Sequence, residues 1–224
     1  MKPYILLFSI VLFMQSCKSD KNNTSTIISD ENTLTVSEKI AQAYGVKNWD
    51  DVNTITFSFN VKKDSTVFKR SWEWSPKTND VKLMTDTDTL NYNRNQVDST
   101  SINADKSFIN DKFWLLAPFN LFWDSGTTVT DPVIEKAPIS EKMLNKITLT
   151  YTNEGGYTPG DAYDFYYNDD FLVEEWIYRK GNSVEPSMIT TWENDTDFKG
   201  VLLALNHKKM DDDWELYFTD VTIK

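Results

Sequence analysis

One cysteine and one histidine are all that the 224-residue chain holds of the two residue types most used in metal and redox chemistry. A lone cysteine excludes an internal disulfide and any cysteine-built zinc site within one chain, and a lone histidine removes most metal and triad chemistry. Seven glycines and seven prolines are too few for a low-complexity chain. Basic residues are also scarce: 23 lysines and arginines face 34 aspartates and glutamates, for a net charge of −11. Phosphate backbones need a basic stripe, and its absence excludes nucleic acid as a partner. No apolar run reaches the roughly 20 residues of a membrane-spanning helix. What the chain has is aromatic mass, with 8 Trp, 10 Tyr and 13 Phe, inside an ordinary balance of 40% hydrophobic and 25% charged residues. Such a chain can bury a substantial core.

Residues 1–16 read as an export signal. Lys2 supplies the positive start, and Tyr4 to Met14 is an apolar run of signal length, too short to span a bilayer. Ser16 then precedes Cys17, the sole cysteine, at the expected cleavage point. That arrangement resembles the lipobox of bacterial lipoproteins, which implies acylation of Cys17; Met14 and Gln15 depart from the strictest form of the box. An ordinary secretory signal with an incidental cysteine is the competing reading. Each buried methylene contributes about 0.8 kcal/mol, so two or three acyl chains hold a protein effectively permanently. Lys18 follows the cysteine, which by the same resemblance implies an outer-membrane anchor, with the leaflet left open. Residues 17–34 are dominated by Ser, Thr, Asn, Asp and Lys, the composition of a flexible tether. Residues 35–224 remain as one domain, because no later stretch is rich enough in Pro, Gly or Ser to divide it.

That domain opens with a helical period and then changes to a period of two. Val36, Ile40 and Tyr44 share one helix face, with Thr35 as cap and Gly45 as stop. Ile55, Phe57, Phe59 and Val61 alternate with polar residues, and Phe68, Arg70, Trp72 and Trp74 alternate on the return. Val81 and Leu83, then Leu90 and Tyr92, mark two short strands; Ile147 to Tyr151, Tyr163 to Tyr167, Leu172 to Tyr178, Met188 to Trp192, Val201 to Leu205 and Trp214 to Ile223 continue the series. Trp214, Leu216 and Phe218 pass to Val221 and Ile223 at an odd offset, which predicts a bulge or bend near Thr219–Asp220. Roughly nine to eleven antiparallel strands describe a meander, a sandwich or a curled, partly open barrel.

Phe113 to Trp123 breaks this pattern, being apolar at nine of eleven positions. It predicts a buried helix, capped by Asn110 or Asp111 and kinked or stopped at Pro118. The helix is either a central packing element or a movable one that half-fills a ligand cavity.

Few residues suggest chemistry. His207 is expected at the surface, since a metal site needs several converging ligands. Asp211-Asp212-Asp213 lacks the alternate spacing and glycine of a calcium loop. Asp161, Asp164, Glu174 and Glu175 could supply the paired carboxylates of a glycosidase. The Gly155–Asp161 cluster reads as a structural corner, or else as a pocket rim. Trp72, Trp74, Trp176, Trp192 and Trp214 read as core; exposed tryptophans would point to sugar or lipid contact. Nothing calls for a cofactor or a metal.

The phrases FWLLAPFNLFWD, GGYTPGDAYDFYY and DFLVEEWIYR, in an order of lipobox, tether, short helix and long meander, resemble envelope lipoproteins with a LolA/LolB/LppX-like fold. The resemblance implies a mainly β (α+β) domain, an antiparallel, partly open half-barrel with an N-terminal helix and an internal hydrophobic helix. It also implies a cavity lined by apolar side chains. The expected function is that of a non-enzymatic envelope lipoprotein binding a lipid or acyl chain, with Phe57, Phe59, Trp72, Trp74, Phe113, Trp114, Leu116, Phe119 and Phe122 as wall and lid. The alternatives are a surface glycan-binding or scaffold lipoprotein working with an envelope protein partner, and a hydrolase.

Overall fold

The computed structural model describes residues 34–224 apart from Gly155 and Asp211. The export signal, Cys17 and all but the last residue of the tether lie outside the described residues, as does the first aspartate of the 211–213 triplet.

Helix α1 (Val36–Ala43) begins in a capping box: the Thr35 hydroxyl accepts the Glu38 N–H, and the Glu38 carboxylate accepts the Thr35 N–H. It ends where Gly45 enters the left-handed region (φ 85°), and a Cβ there would lie 1.9 Å from the Gly200 carbonyl oxygen. Only glycine meets both conditions. Just before it, at the helix C-cap, Tyr44 is buried, with its hydroxyl accepting the Val173 N–H.

Thirteen antiparallel strands follow among the described residues, more than the nine to eleven expected. One sheet of seven has the order β11-β12-β13-β1-β2-β3-β4, formed by β1 (Ile55–Lys63), β2 (Thr66–Ser75), β3 (Asp80–Met84), β4 (Thr89–Asn93), β11 (Glu193–Phe198), β12 (Val201–Lys208) and β13 (Glu215–Ile223). The other, of six, has the order β10-β9-β8-β7-β5, with β6 also paired to β7. Its members are β5 (Thr127–Val129), β6 (Val133–Lys136), β7 (Met143–Tyr151), β8 (Ala162–Tyr167), β9 (Val173–Arg179) and β10 (Met188–Thr191). The additional strands are β5 and β6, which are short, and β11, whose Glu193-Asn194-Asp195-Thr196-Asp197 run has no apolar face to betray it.

The two sheets form an unclosed barrel. On one margin the chain passes from β10 to β11 through the single buried residue Trp192, and the Lys208 N–H donates to the Thr191 hydroxyl across the same margin. On the other, β4 and β5 end their sheets without pairing to each other. Helix α2 (Ile102–Trp123) lies between the sheets, touching Trp72 and Trp74 of the first through Phe108, and Tyr163 and Trp176 of the second through Phe113. The expected irregularity in the last strand is present. Between Thr56 and Ser58 the β1 register against β13 jumps from Thr222 to Thr219, and Asp220 takes a left-handed φ of 56°. Its carboxylate accepts the Ser58 hydroxyl and the Lys69 ammonium.

Candidate ligand-binding site

Helix α2 starts well before the expected Asn110–Asp111 cap. The Asp98 carboxylate accepts the N–H groups of Thr100 and Ser101 at 2.9 and 3.0 Å and so organises the entry. Asp111 is instead a fully buried charge within the helix. Arg70 grips it with two bonds of 2.5 Å, from Nε and a terminal nitrogen, and Trp72 Nε1 donates at 2.8 Å. Desolvation outweighs these donors and holds the Asp111 carboxyl above the usual carboxylate range. Leu116 leaves helical geometry (φ −123°, ψ 19°) two residues before Pro118, whose missing N–H and ring break the hydrogen-bond ladder; the helix then resumes to Trp123. Proline therefore kinks it without stopping it.

Asp105, six residues before Asp111, closes the open margin. Its carboxylate accepts the Tyr92 hydroxyl (3.1 Å) and Arg94 Nε (2.9 Å) from the β4 side, and the Tyr157 hydroxyl (2.7 Å) from the β7–β8 loop. This loop is the glycine-rich cluster of the sequence, and Gly156, Tyr157 and Thr158 line cavities. It is a pocket rim.

Two cavities lie under that rim. The first, about 480 Å³, is walled by Ile109, Phe113 and Trp114 of α2 and by Tyr163, Trp176, Tyr178 and Met188 of the six-stranded sheet. The second, about 510 Å³, shares Ile109, Phe113, Tyr157 and Thr158 with the first and continues to Lys112, Asn120, Trp123, Asp124 and Tyr151. Both volumes suit small-molecule binding. The first is mainly aromatic, with Phe113 4.6 Å from the Tyr163 ring and Trp114 4.6 Å from the Trp176 ring.

Among the nine expected ligand residues, the structure brings Phe113 and Trp114 together at this cavity. Phe57, Phe59, Trp72, Trp74, Leu116 and Phe119 are buried in the packed core and do not line either cavity; Trp72, for instance, is enclosed by Phe108 and the Arg70–Asp111 pair. Phe122 is 53% exposed, beside a shallow groove with Trp49 and Trp123. Tyr163, Trp176, Tyr178 and Met188, which also line the cavity, are not among the nine. They sit on one face of β8, β9 and β10, Tyr163 and Met188 both opposite Tyr178 and Trp176 two residues before it, where only the packing of α2 decides whether a side chain meets a neighbour or a void.

His207 is not at the surface. Its ring is fully buried among Trp192 (4.2 Å), Trp114 (5.3 Å) and Phe218 (6.1 Å), with Nδ1 donating to the Thr191 carbonyl and Nε2 unpartnered among the described residues. Burial pushes its pKa down to about 3, so the imidazole is neutral. The alternation from Val201 to Leu205 stops short of His207, whereas β12 runs on to Lys208, and nothing local shows that Trp114 covers the ring. No group of three or more His, Cys, Asp or Glu side chains gathers among the described residues.

The four candidate carboxylates are engaged in holding the six-stranded sheet. Asp161 accepts the Gly181 N–H and the Tyr178 hydroxyl, Asp164 the Arg179 guanidinium and the Thr148 hydroxyl, Glu175 the N–H groups of Ile139 and Ser140, and Glu174 the Lys142 ammonium. None of the eight tryptophans is exposed.

Two facing antiparallel sheets, continuous at one margin and holding a helix between them, define the class: a mainly β, unclosed half-barrel. Solved structures similar to the chain include a DUF1329 family protein from Desulfovibrio piger, 8% identical, with a TM-score of 0.44 over 84% of this chain and 93% of that one. A LolA superfamily protein from Nitrosomonas europaea is 9% identical, with a TM-score of 0.46 over 85% and 94%. A domain described as an outer membrane lipoprotein-sorting protein, from Vibrio parahaemolyticus, is 12% identical, with a TM-score of 0.47 over 84% and 93%. No protein-family model matches the chain, and no curated protein matches it.

Proposed function

We propose that the protein is a non-enzymatic envelope lipoprotein, anchored to the outer membrane through acylated Cys17, that binds a lipid or acyl chain between α2 and the six-stranded sheet. The observation that carries this reading is the aromatic cavity beneath the Tyr157 rim, a space that the surrounding core could have filled and does not. Apolar burial, about 25 cal/mol per Å² before entropic costs, drives the binding. The export signal and Ser16–Cys17 pair support the compartment. The structural engagement of Asp161, Asp164, Glu174 and Glu175 argues against a hydrolase, and the lack of a fully exposed tryptophan removes the main support for a glycan-binding surface.

Energy transfer from Trp114 and Trp176 to a polyene lipid tests the reading directly. Methyl parinarate should quench tryptophan emission saturably. Met188→Trp, which fills the first cavity with an apolar side chain, should weaken that binding at least tenfold while leaving the thermal transition cooperative. Unchanged affinity in the folded variant would place the ligand elsewhere.

A further inference from the structure

Each cavity is lined by one lysine, but Lys106 of the first is exposed to solvent, whereas the lysine of the second is drawn inward. Lys112 projects from α2 into the second, half-buried, with its ammonium 5.6 Å from the Trp74 ring and 6.0 Å from the Trp123 ring. No carboxylate lies within ion-pairing distance of that ammonium among the described residues, whereas Lys142, Lys146 and Lys208 each have such a partner. The nearby Asp124 has its own donor, the Tyr151 hydroxyl at 2.5 Å. A second polar group is also unmatched. Asn120 is 2% exposed, lines the same cavity, and has no hydrogen-bond partner for its Oδ1 among the described residues. An amide can turn to present either its oxygen or its NH2. A buried polar group without a partner is costly, and Asn120 beside a half-buried, unpaired ammonium, in a cavity contiguous with an apolar one, describes the polar end of a binding site.

We infer that this polar end holds the head group of a carboxylate-bearing amphiphile. Lys112 would pair with the carboxylate, Asn120 would donate its NH2 to it, and the acyl chain would run past Phe113 into the aromatic cavity. The inference rests on the acyl-binding function proposed above and deepens it by naming the head group. A monoanion is favoured over a phosphate dianion, because Asp124 and Glu154 line the same cavity and repel added negative charge. The aromatic faces of Trp74 and Trp123 hold the ammonium in position without neutralising it.

Burial brings the Lys112 pKa down to about 8, against the pull of Asp124 and Asp105 and with the repulsion of Arg94. Tyr151 and Tyr157, whose hydroxyls donate to those two aspartates, have raised pKa values and stay neutral across the same range. Carboxylate binding therefore weakens as pH rises through about 8, while binding of an uncharged ester does not.

The test compares parinaric acid with methyl parinarate on the full-length chain, with and without Lys112→Met. The acid should bind about tenfold or more tightly than the ester at pH 7, and that preference should vanish in Lys112→Met and, in the wild type, at pH 10. Lys63→Met, an exposed change of the same charge at the tip of β1, controls for net charge and should leave the preference intact. Equal binding of acid and ester, or an acid preference that survives Lys112→Met, would overturn the head-group assignment while leaving the acyl site standing. Failure of both probes to bind would overturn the acyl site, and the head group with it.

Discussion

The two faces of α2 are built from the same kinds of residue to opposite effect. Toward the seven-stranded sheet, Phe108 meets Trp72 and Trp74 edge-on, Arg70 locks Asp111, and Phe108, Trp72 and Asp111 are all fully buried. Toward the six-stranded sheet, Phe113 and Trp114 meet Tyr163 and Trp176 at similar distances, yet cavities remain beside them. Aromatic content does not separate a wall from a filling. What separates them is a fixed attachment: one face is held by a buried ion pair, and the other has none among the described residues.

The largest effect should come from removing that attachment. Arg70→Leu leaves Asp111 buried without its main donor and should cost about 3 kcal/mol or more, read as a fall in the urea midpoint. Equal stability of variant and wild type would mean that the two faces are held alike. Acidification should act on the aromatic cluster that Trp114 shares with both sheets. His207 is neutral in the fold down to about pH 3, while in the unfolded chain it protonates near 6.5. Stability is therefore lost as pH falls from 6.5 toward 3, by on the order of a few kcal/mol, and His207→Phe should flatten that part of the pH profile.

On the cavity side the expected changes are smaller. Ile109→Ala should cost about 1–2 kcal/mol, below the usual range for a fully packed isoleucine, since part of its surface already faces space. Lys112→Met should stabilise the protein by about 1 kcal/mol at pH 7. The native state disfavours the charged lysine below about pH 8, and the penalty is relieved as pH rises toward 10.5, so the gain should shrink over that interval. A destabilised Lys112→Met at pH 7 would show that the cation–π contacts outweigh desolvation. Tyr157→Phe should barely move the transition but should speed ligand release by freeing the rim from Asp105.

Legibility in the sequence followed the range of the forces involved. Helix α1 was readable because its cap and stop are local: Thr35, Glu38 and Gly45 act within a few residues. The β1–β2 hairpin and the irregularity at Asp220 were readable because alternation is local too. The first half of α2 was not, because Asp105 and Asp111 look like surface charges until Arg94 and Arg70 arrive from other strands. Strand β11 was hidden by its polar edge, and the burial of His207 depends on Trp114, nearly a hundred residues away. The cavity belongs to the same category. Phe113 and Trp114 stood out as apolar, but whether they abut a side chain or a void is decided by how α2 seats against β8, β9 and β10.

Trp192 gives the half-barrel a lever. At that margin the chain crosses between the sheets through one residue, with Thr191 bonded to Lys208 and His207 beside it, and at the other three hydrogen bonds converge on Asp105. Any parting of the sheets is then a rotation about the Trp192 edge, and displacement grows with distance from it. A pair of spectroscopic labels on β4 and β5 would register the largest change for a given angle, and a pair on β10 and β12 almost none.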